Sequence, residues 1–256
     1  MKINVHLTPL SVDELFFTGK TTVVIDVLRA STTIITALQN NAKEIIPVAT
    51  VEFAVKVSGG MFGGQTLLGG ERNTKKIEGF ALGNSPFEYS EEIVSGKSVI
   101  LYTTNGTKAI AKAKFSADLF ICAFINVSAL AKHLAELNKD VEIVCAGRSN
   151  TFSMEDSVCA GKLISEIEKF NDNIALTDSA IASRALSKSF GKSIFKMMKE
   201  TEHGKILIEN GFEEDIKYAS KLNSTEAIPY LTGNVLKLLQ VEQMAVPGSS
   251  EEVQPD

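Results

Sequence analysis

The sequence predicts an α/β protein, a three-layer α/β/α arrangement around a mostly parallel or mixed sheet. Three observations carry that prediction. Short β-branched runs alternate with longer segments of helical period as far as about residue 170. The runs are apolar throughout, as in strands covered on both faces by helices. The composition, 44% hydrophobic and 22% charged over 256 residues, is that of an ordinary globular chain and excludes a disordered one.

Taken in order, Thr-Val-Val-Ile-Asp-Val at 22–27 reads as a buried strand, followed by a helix over 31–39. A weaker strand over 65–69 precedes a polar loop. A clear strand at 98–103 leads into a helix over 106–114, and a third at 118–124 into a helix over 127–137. A fourth clear strand, 141–146, is followed by a long amphipathic helix over 154–170. Beyond 171 the pattern is mainly helical. No Pro/Gly/Ser linker and no internal repeat interrupts it, so a single domain over 1–240 is expected. The polar, acidic, Pro-bearing stretch 241–256 is expected to be a disordered tail without a part in chemistry.

Charge and targeting features exclude several function classes. With 26 basic and 31 acidic residues the net charge is −5, which provides no electrostatic footprint for nucleic acid or an anionic membrane. The first nine residues have no apolar signal core, and no apolar stretch approaches the roughly 18–20 residues of a membrane span. Three cysteines, Cys122, Cys145 and Cys159, without C-x-x-C spacing point to reduced thiols and a cytoplasmic protein rather than a disulfide framework or zinc site. Self-association is left open, because no heptad or apolar surface stripe is visible.

In parallel α/β sheets ligands bind beyond the carboxyl ends of the strands, so those segments hold the chemistry. They read Asp26-Val-Leu-Arg29-Ala-Ser31-Thr32-Thr33, Gly70-Glu71-Arg72-Asn73, Thr103-Thr104-Asn105-Gly106-Thr107, Asn126-Val-Ser128, and Gly147-Arg148-Ser149-Asn150 with Glu155-Asp156 beyond. Of the 26 basic residues only four are arginines, and three of these, Arg29, Arg72 and Arg148, fall at strand ends. Arginine's planar fork binds oxyanions bidentately, where lysine is a point charge. The distribution therefore predicts a focused site for a small, multiply anionic molecule. The alternative is plain ion pairing, of Arg29 with Asp26, Arg72 with Glu71, and Arg148 with Glu155 or Asp156.

Thr103–Thr107 combines a strand end, a tight Asn-Gly turn and a helix start, which offers backbone N–H groups to an anion. Ser31-Thr32-Thr33 offers the same arrangement, unless its hydroxyls are simple helix caps. Walker A and G-x-G-x-x-G patterns are absent, which disfavours a nucleotide enzyme. Asp26, Glu71, Glu155 and Asp156 are hard oxygen donors beside the expected anion site and suit Mg²⁺. Asp26 stands out as an acid at the end of an apolar strand, a position that requires a partner or a task. His6, His133 and His203 lack metal-ligand spacing, and His203-Gly204 would place an acid at a loop. Neither a Cys-x₅-Arg loop nor an Asp-x-Asp nucleophile motif is present, since Leu28 occupies the second Asp position.

Six strings together resemble the 2-phosphosulfolactate phosphatase family: Val24-Ile-Asp-Val-Leu-Arg-Ala-Ser-Thr-Thr33, Gly70-Glu-Arg-Asn73, Gly79-Phe-Ala-Leu-Gly-Asn-Ser-Pro-Phe-Glu88, Thr103-Thr-Asn-Gly-Thr107, Cys145-Ala-Gly-Arg148 and Glu155-Asp-Ser-Val-Cys-Ala-Gly161. The similarity continues through His203-Gly204, Gly211–Ile216 and Ile228-Pro229, with Thr201 and Ile228 as small departures from the family pattern. The resemblance implies an α/β, Mg²⁺-dependent phosphatase that converts 2-phospho-3-sulfolactate to 3-sulfolactate and phosphate in coenzyme M biosynthesis. A substrate with a phosphate, a sulfonate and a carboxylate suits the arginines and the helix-terminus cradle.

The expected assignment follows. Asp26, Arg29, Arg148 and Asp156 are the catalytic candidates. Ser31, Thr32, Arg72, Thr104, Asn105, Gly106 and Thr107 are the substrate-binding candidates, and some of Asp26, Glu71, Glu155 and Asp156 are the Mg²⁺ ligands. Two routes stay open, attack by Asp26 itself or by a water that a carboxylate activates. So do two other functions, a phosphatase for another small phosphorylated acid and a non-catalytic anion-binding protein.

Overall fold

The computed structural model describes residues 1–60 and 65–240, so the 241–256 tail lies outside the described residues. In chain order the elements are β1 (Lys2–His6), β2 (Thr21–Ile25), α1 (Ala30–Gln39), β3 (Glu44–Val48), α2 (Val51–Gly60), β4 (Thr66–Arg72), β5 (Lys75–Lys76), α3 (Glu91–Val94), β6 (Ser98–Tyr102), α4 (Gly106–Lys112), β7 (Asp118–Cys122), α5 (Val127–Leu137), β8 (Val141–Cys145), α6 (Met154–Ile167), β9 (Ala175–Leu176), α7 (Asp178–Phe190), α8 (Ile194–Glu200), α9 (Glu202–Glu209), α10 (Glu213–Ala219), β10 (Pro229–Thr232) and β11 (Val235–Leu238). The α/β class and the mostly parallel, mixed sheet are as the sequence predicts. Among the described residues no helix is long and apolar enough to cross a membrane.

The expected strands and helices form within a few residues of their predicted limits, because most of each β-branched run is covered by helices. All five residues of β2 and of β6 are buried. Helix ends follow local chemistry. Ser153 Oγ accepts the Asp156 N–H to start α6, and Asn138 adopts the left-handed conformation that ends α5. Sequence periodicity alone does not resolve β1, β3, α2 or the hairpin β10–β11. β3 carries Pro47, which donates no N–H; this is tolerated because its pairing with β11 is confined to Ile45 opposite Leu236.

The strand order is β5-β4-β6-β3-β11-β10-β7-β2-β8-β1-β9. Two parallel blocks, β4-β6-β3 and β7-β2-β8-β1-β9, are spliced by the antiparallel hairpin, which meets β7 only at Tyr230–Phe120 and β3 only at Leu236–Ile45. Alternate residues face opposite cores. Val23, Ile25, Ile143 and Cys145 pack under α5 and α6, whereas Val24, Ile121, Val144, Val99, Leu101 and Ile45 enclose Ile34, Ile35, Leu38 and Ile110 of α1 and α4. Ile100 and Tyr102 face the α2 side, with Ala54. Helices α1 and α4 are thus embraced by both blocks.

Counted along the ladder, β2 and β6 are antiparallel. Adjacent strands, however, twist by roughly 20–25° each, and the steps between β2 and β6 accumulate to more than about 100°. That rotation swings the carboxyl ends of both blocks toward one cleft. The hairpin is the joint, and Leu236, fully buried, is its anchor. Leu236→Ala is expected to cost about 2–5 kcal/mol by urea denaturation, whereas the exposed neighbour Lys237→Ala stays within about 0.5 kcal/mol.

Candidate active site

The ends of β2, β4, β6 and β8 meet the start of α9 around a cleft of about 160 Å³. β2 delivers Asp26, Leu28 and Arg29. β4 delivers Glu71 and the Asn73-Thr74 turn, the β6–α4 loop delivers Thr104 and Asn105, and the β8 loop delivers Arg148 and Ser149. His203 and Ile206 of α9, with Asn84 and Asn210, complete the lining.

Two carboxylates hold these loops together. Asp156 accepts Val27 N–H at 2.9 Å and Gly147 N–H at 3.1 Å, joining the loops that follow β2 and β8. Glu71 accepts Thr74 N–H at 2.9 Å and Thr104 N–H at 2.7 Å, joining those that follow β4 and β6. Burial, with the nearby charges of Asp26 and Glu155, holds the Asp156 carboxyl well above its usual range.

Asp26 is buried where β2 ends. Its Oδ1 takes only a long 3.4 Å bond from Ala30 N–H, and among the described residues Oδ2 takes none. The Asp26 carboxyl is pushed up to about 6, mainly by burial, helped by Glu71 and Glu155 and opposed by His203. Gly106 is required by space: a Cβ there would lie 2.6 Å from Asp26 Oδ2. His203 stands in the first turn of α9, which Thr201 caps by accepting Gly204 N–H. Its Nδ1 lies 3.5 Å from Glu155 Oε1, longer than a good hydrogen bond.

The arginines behave differently from one another. Arg29 is buried and clamped: it donates to Asp215 Oδ2 at 2.7 Å and to the Thr74 carbonyl at 2.9 Å, and its guanidinium lies 4.1 Å from the Phe212 ring centre. Arg148 is partly exposed and paired with the exposed Glu202, a contact of little energy that a ligand can replace. Arg72 is exposed on the far end of β4 and lines a separate depression beside Lys75 and Lys76. None of the three takes the local partner that simple ion pairing predicts.

Several expected site residues turn inward. Ser31 Oγ accepts Asp26 N–H, Thr32 Oγ1 donates to the Val27 carbonyl, and Thr107 Oγ1 donates to the Thr103 carbonyl while accepting its N–H. These hydroxyls lock the loops and do not line the cleft, because helix-start hydroxyls satisfy the nearest backbone groups first. Gly106 supplies clearance rather than lining. Asp156 and Glu155 stand behind the cleft wall. Of the candidates, Asp26, Arg29, Glu71, Thr104, Asn105 and Arg148 are brought together. The residues that sequence reasoning missed are Thr74, Asn84 and Asp215. Asn84 and Asp215 lay within the compared strings, but nothing local sets them apart.

A family profile described as 2-phosphosulpholactate phosphatase matches residues 7–234. Curated relatives named probable 2-phosphosulfolactate phosphatase include one from Clostridium botulinum (strain Eklund 17B), 38% identical over 239 residues, 93% of this chain and all of the relative. One from Caldanaerobacter subterraneus subsp. tengcongensis is 38% identical over 94% of this chain and 99% of its own. One from Clostridium perfringens (strain 13) is 41% identical over 89% of this chain and 92% of its own.

The crowding of acids has a measurable cost. The folded-state value of Asp26, about 6, exceeds its unfolded value of 3.8, so its charge destabilises the fold fully above pH 6. The penalty disappears as the pH falls toward the unfolded value, and at its largest it is on the order of 3 kcal/mol. Asp26→Asn is therefore expected to melt about 5–10 °C higher than the unsubstituted protein at pH 8 in chelator. The gap should close as the pH is lowered through about 6, which differential scanning calorimetry against pH would follow.

Proposed function

The chain belongs to the 2-phosphosulpholactate phosphatase family, and from that premise we propose that it hydrolyses 2-phospho-3-sulfolactate to 3-sulfolactate and phosphate with Mg²⁺ as cofactor, a step of coenzyme M biosynthesis. The observation that carries the reading is the juxtaposition, in one cleft, of the uncommitted Asp26 carboxylate, His203 and two arginines from different loops.

The donor set suits Mg²⁺ rather than a metal that needs a complete protein cage. Among the described residues no group of three or more His, Cys, Asp or Glu side chains is arranged to hold a metal ion. Mg²⁺ commonly takes one or two carboxylates and completes its shell with water and substrate phosphate. Asp26 and Glu71, the acids that line the cleft, would hold it, with the negative charge of Glu155 and Asp156 behind them. Bound there, it would neutralise charge on the phosphoryl group.

The chain's own residues supply the remainder. Asp26 Oδ2 takes a proton from the attacking water as the water oxygen bonds to phosphorus. The bond from phosphorus to the substrate's C2 oxygen breaks, and His203, whose Nδ1 lies 3.5 Å from Glu155 Oε1, gives a proton to that oxygen. Arg148, held only by a surface partner, exchanges Glu202 for phosphoryl oxygens.

Three measurements test this. Activity on phosphosulfolactate should be lost on chelation and restored by Mg²⁺, and acid quench with labelled substrate should leave no phosphoprotein; a labelled Asp26 would establish direct attack instead. His203→Ala should lower kcat by about 10²- to 10⁴-fold on this alkyl phosphate. The loss should be smaller on p-nitrophenyl phosphate, whose leaving group needs no proton.

A further inference from the structure

The cleft contains polar atoms that the reaction above does not use. Among the described residues, Thr74 Oγ1, Asn84 Oδ1 and Thr104 Oγ1 are buried side-chain atoms without a hydrogen-bond partner, and all three residues line the cleft. Unpartnered buried groups are costly, and groups of this kind gathered at a cleft indicate a ligand that satisfies them.

Hydrogen bonds order the cleft wall. Glu71 is central, accepting Thr74 N–H on one side and Thr104 N–H on the other. Beyond Thr74 lies Arg29, which donates to its carbonyl. Beyond Thr104 lies Asn105, whose Oδ1 accepts Ser149 N–H at 3.0 Å next to Arg148. Arg29 and Arg148 thus stand at the two ends, or poles, of this hydrogen-bonded series, and His203 shares the depression beside Arg148 and Glu155. His203, the group that gives a proton to the leaving oxygen, therefore belongs to the Arg148 pole.

The Arg29 pole is built differently. Asp215 anchors Arg29 through Oδ2 and accepts Ser85 Oγ–H at 2.8 Å through Oδ1, so Asn84 is fixed next to the anchor. Asn84 is only 4% exposed, yet its Oδ1 is unpartnered. Half a turn about χ2 presents Nδ2 as a donor at the same spot. Thr74 adopts φ 68, a left-handed conformation that is strained for a β-branched residue.

We infer that Arg29, Thr74 and Asn84 form an acid-group subsite, which holds the sulfonate or carboxylate end of the substrate while the phosphoryl group occupies the Arg148–His203 pole. Hydroxyl, amide and guanidinium donors suit an oxyacid group that is retained rather than transferred. The inference rests on the proposed activity for the identity of the acid.

Calorimetric titration of the full chain in Mg²⁺ buffer tests it, with inorganic phosphate, 3-sulfolactate and lactate as separate ligands. Asn84→Ala and Thr74→Gly are each expected to weaken 3-sulfolactate about 10- to 100-fold while phosphate stays within about twofold. Thr74→Gly should also melt at a higher temperature, since glycine accepts the left-handed backbone; a binding loss with a gain in stability separates a ligand role from a structural one. A loss confined to 3-sulfolactate assigns the sulfonate, and an equal loss for lactate assigns the carboxylate. The inference is overturned if phosphate and 3-sulfolactate weaken alike, if neither substitution affects 3-sulfolactate, or if the unsubstituted chain does not bind it. A chain that binds 3-sulfolactate through these residues but hydrolyses no phosphate ester overturns the phosphatase reading and leaves the subsite standing.

Discussion

The site depends on carboxylates that bridge backbone N–H groups of neighbouring loops. Asp156 ties the turn after β2 to the turn after β8, and Glu71 ties the turn after β4 to that after β6. Loops are ordinarily the mobile parts of an α/β fold. Here each loop that carries a site residue is stapled to the next by an acid whose two oxygens are both engaged. The same arrangement brings Asp26, Glu71, Glu155 and Asp156 near one another, so positioning and electrostatic crowding have a single origin. Stability is sacrificed at a place where charge is useful, as is common at functional sites.

Bridges of this kind require the strand ends to converge, and twist brings them together. The antiparallel hairpin reverses the ladder between the two parallel blocks, and the accumulated rotation across the sheet compensates for the reversal. Helices α1 and α4 fill the resulting concavity, and both begin at the cleft. Contacts across the blocks complete the union: Thr33 Oγ1 donates to the Asn84 carbonyl at 2.8 Å, Arg29 reaches the Thr74 carbonyl, and Gly106 leaves room for Asp26.

The contrast between the basic residues acquires a structural meaning. Arg29 is fixed by Asp215, Thr74 and Phe212 and behaves as part of the wall. Arg148 rests on an exposed partner and is free to change it. A rigid pole and an adaptable pole suit a ligand that is anchored at one end and transformed at the other. The overall charge of −5 is silent on this, because it reports the solvated surface.

By itself, the sequence determined the α/β class, the main strands and the loops in which to look for chemistry. Those properties arise from local apolar runs and from the rule that parallel strands place ligands at their carboxyl ends. Asp26, Arg29, Glu71, Thr104, Asn105 and Arg148 were legible for that reason. Tertiary structure alone decided which way their neighbours turn. Ser31, Thr32 and Thr107 have the right chemistry in the right loops, but the nearest unsatisfied backbone group claimed each hydroxyl. Arg72 follows Glu71 directly, and strand alternation sends it to the opposite side. Asn84, Asp215 and His203 reach the cleft from distant segments, and their roles depend on partners 45 to 186 residues away in contacts such as Arg29 with Thr74 and Asp215. No local pattern encodes such pairings, because the free energy that selects them is available only once the sheet has bent and the loops have met.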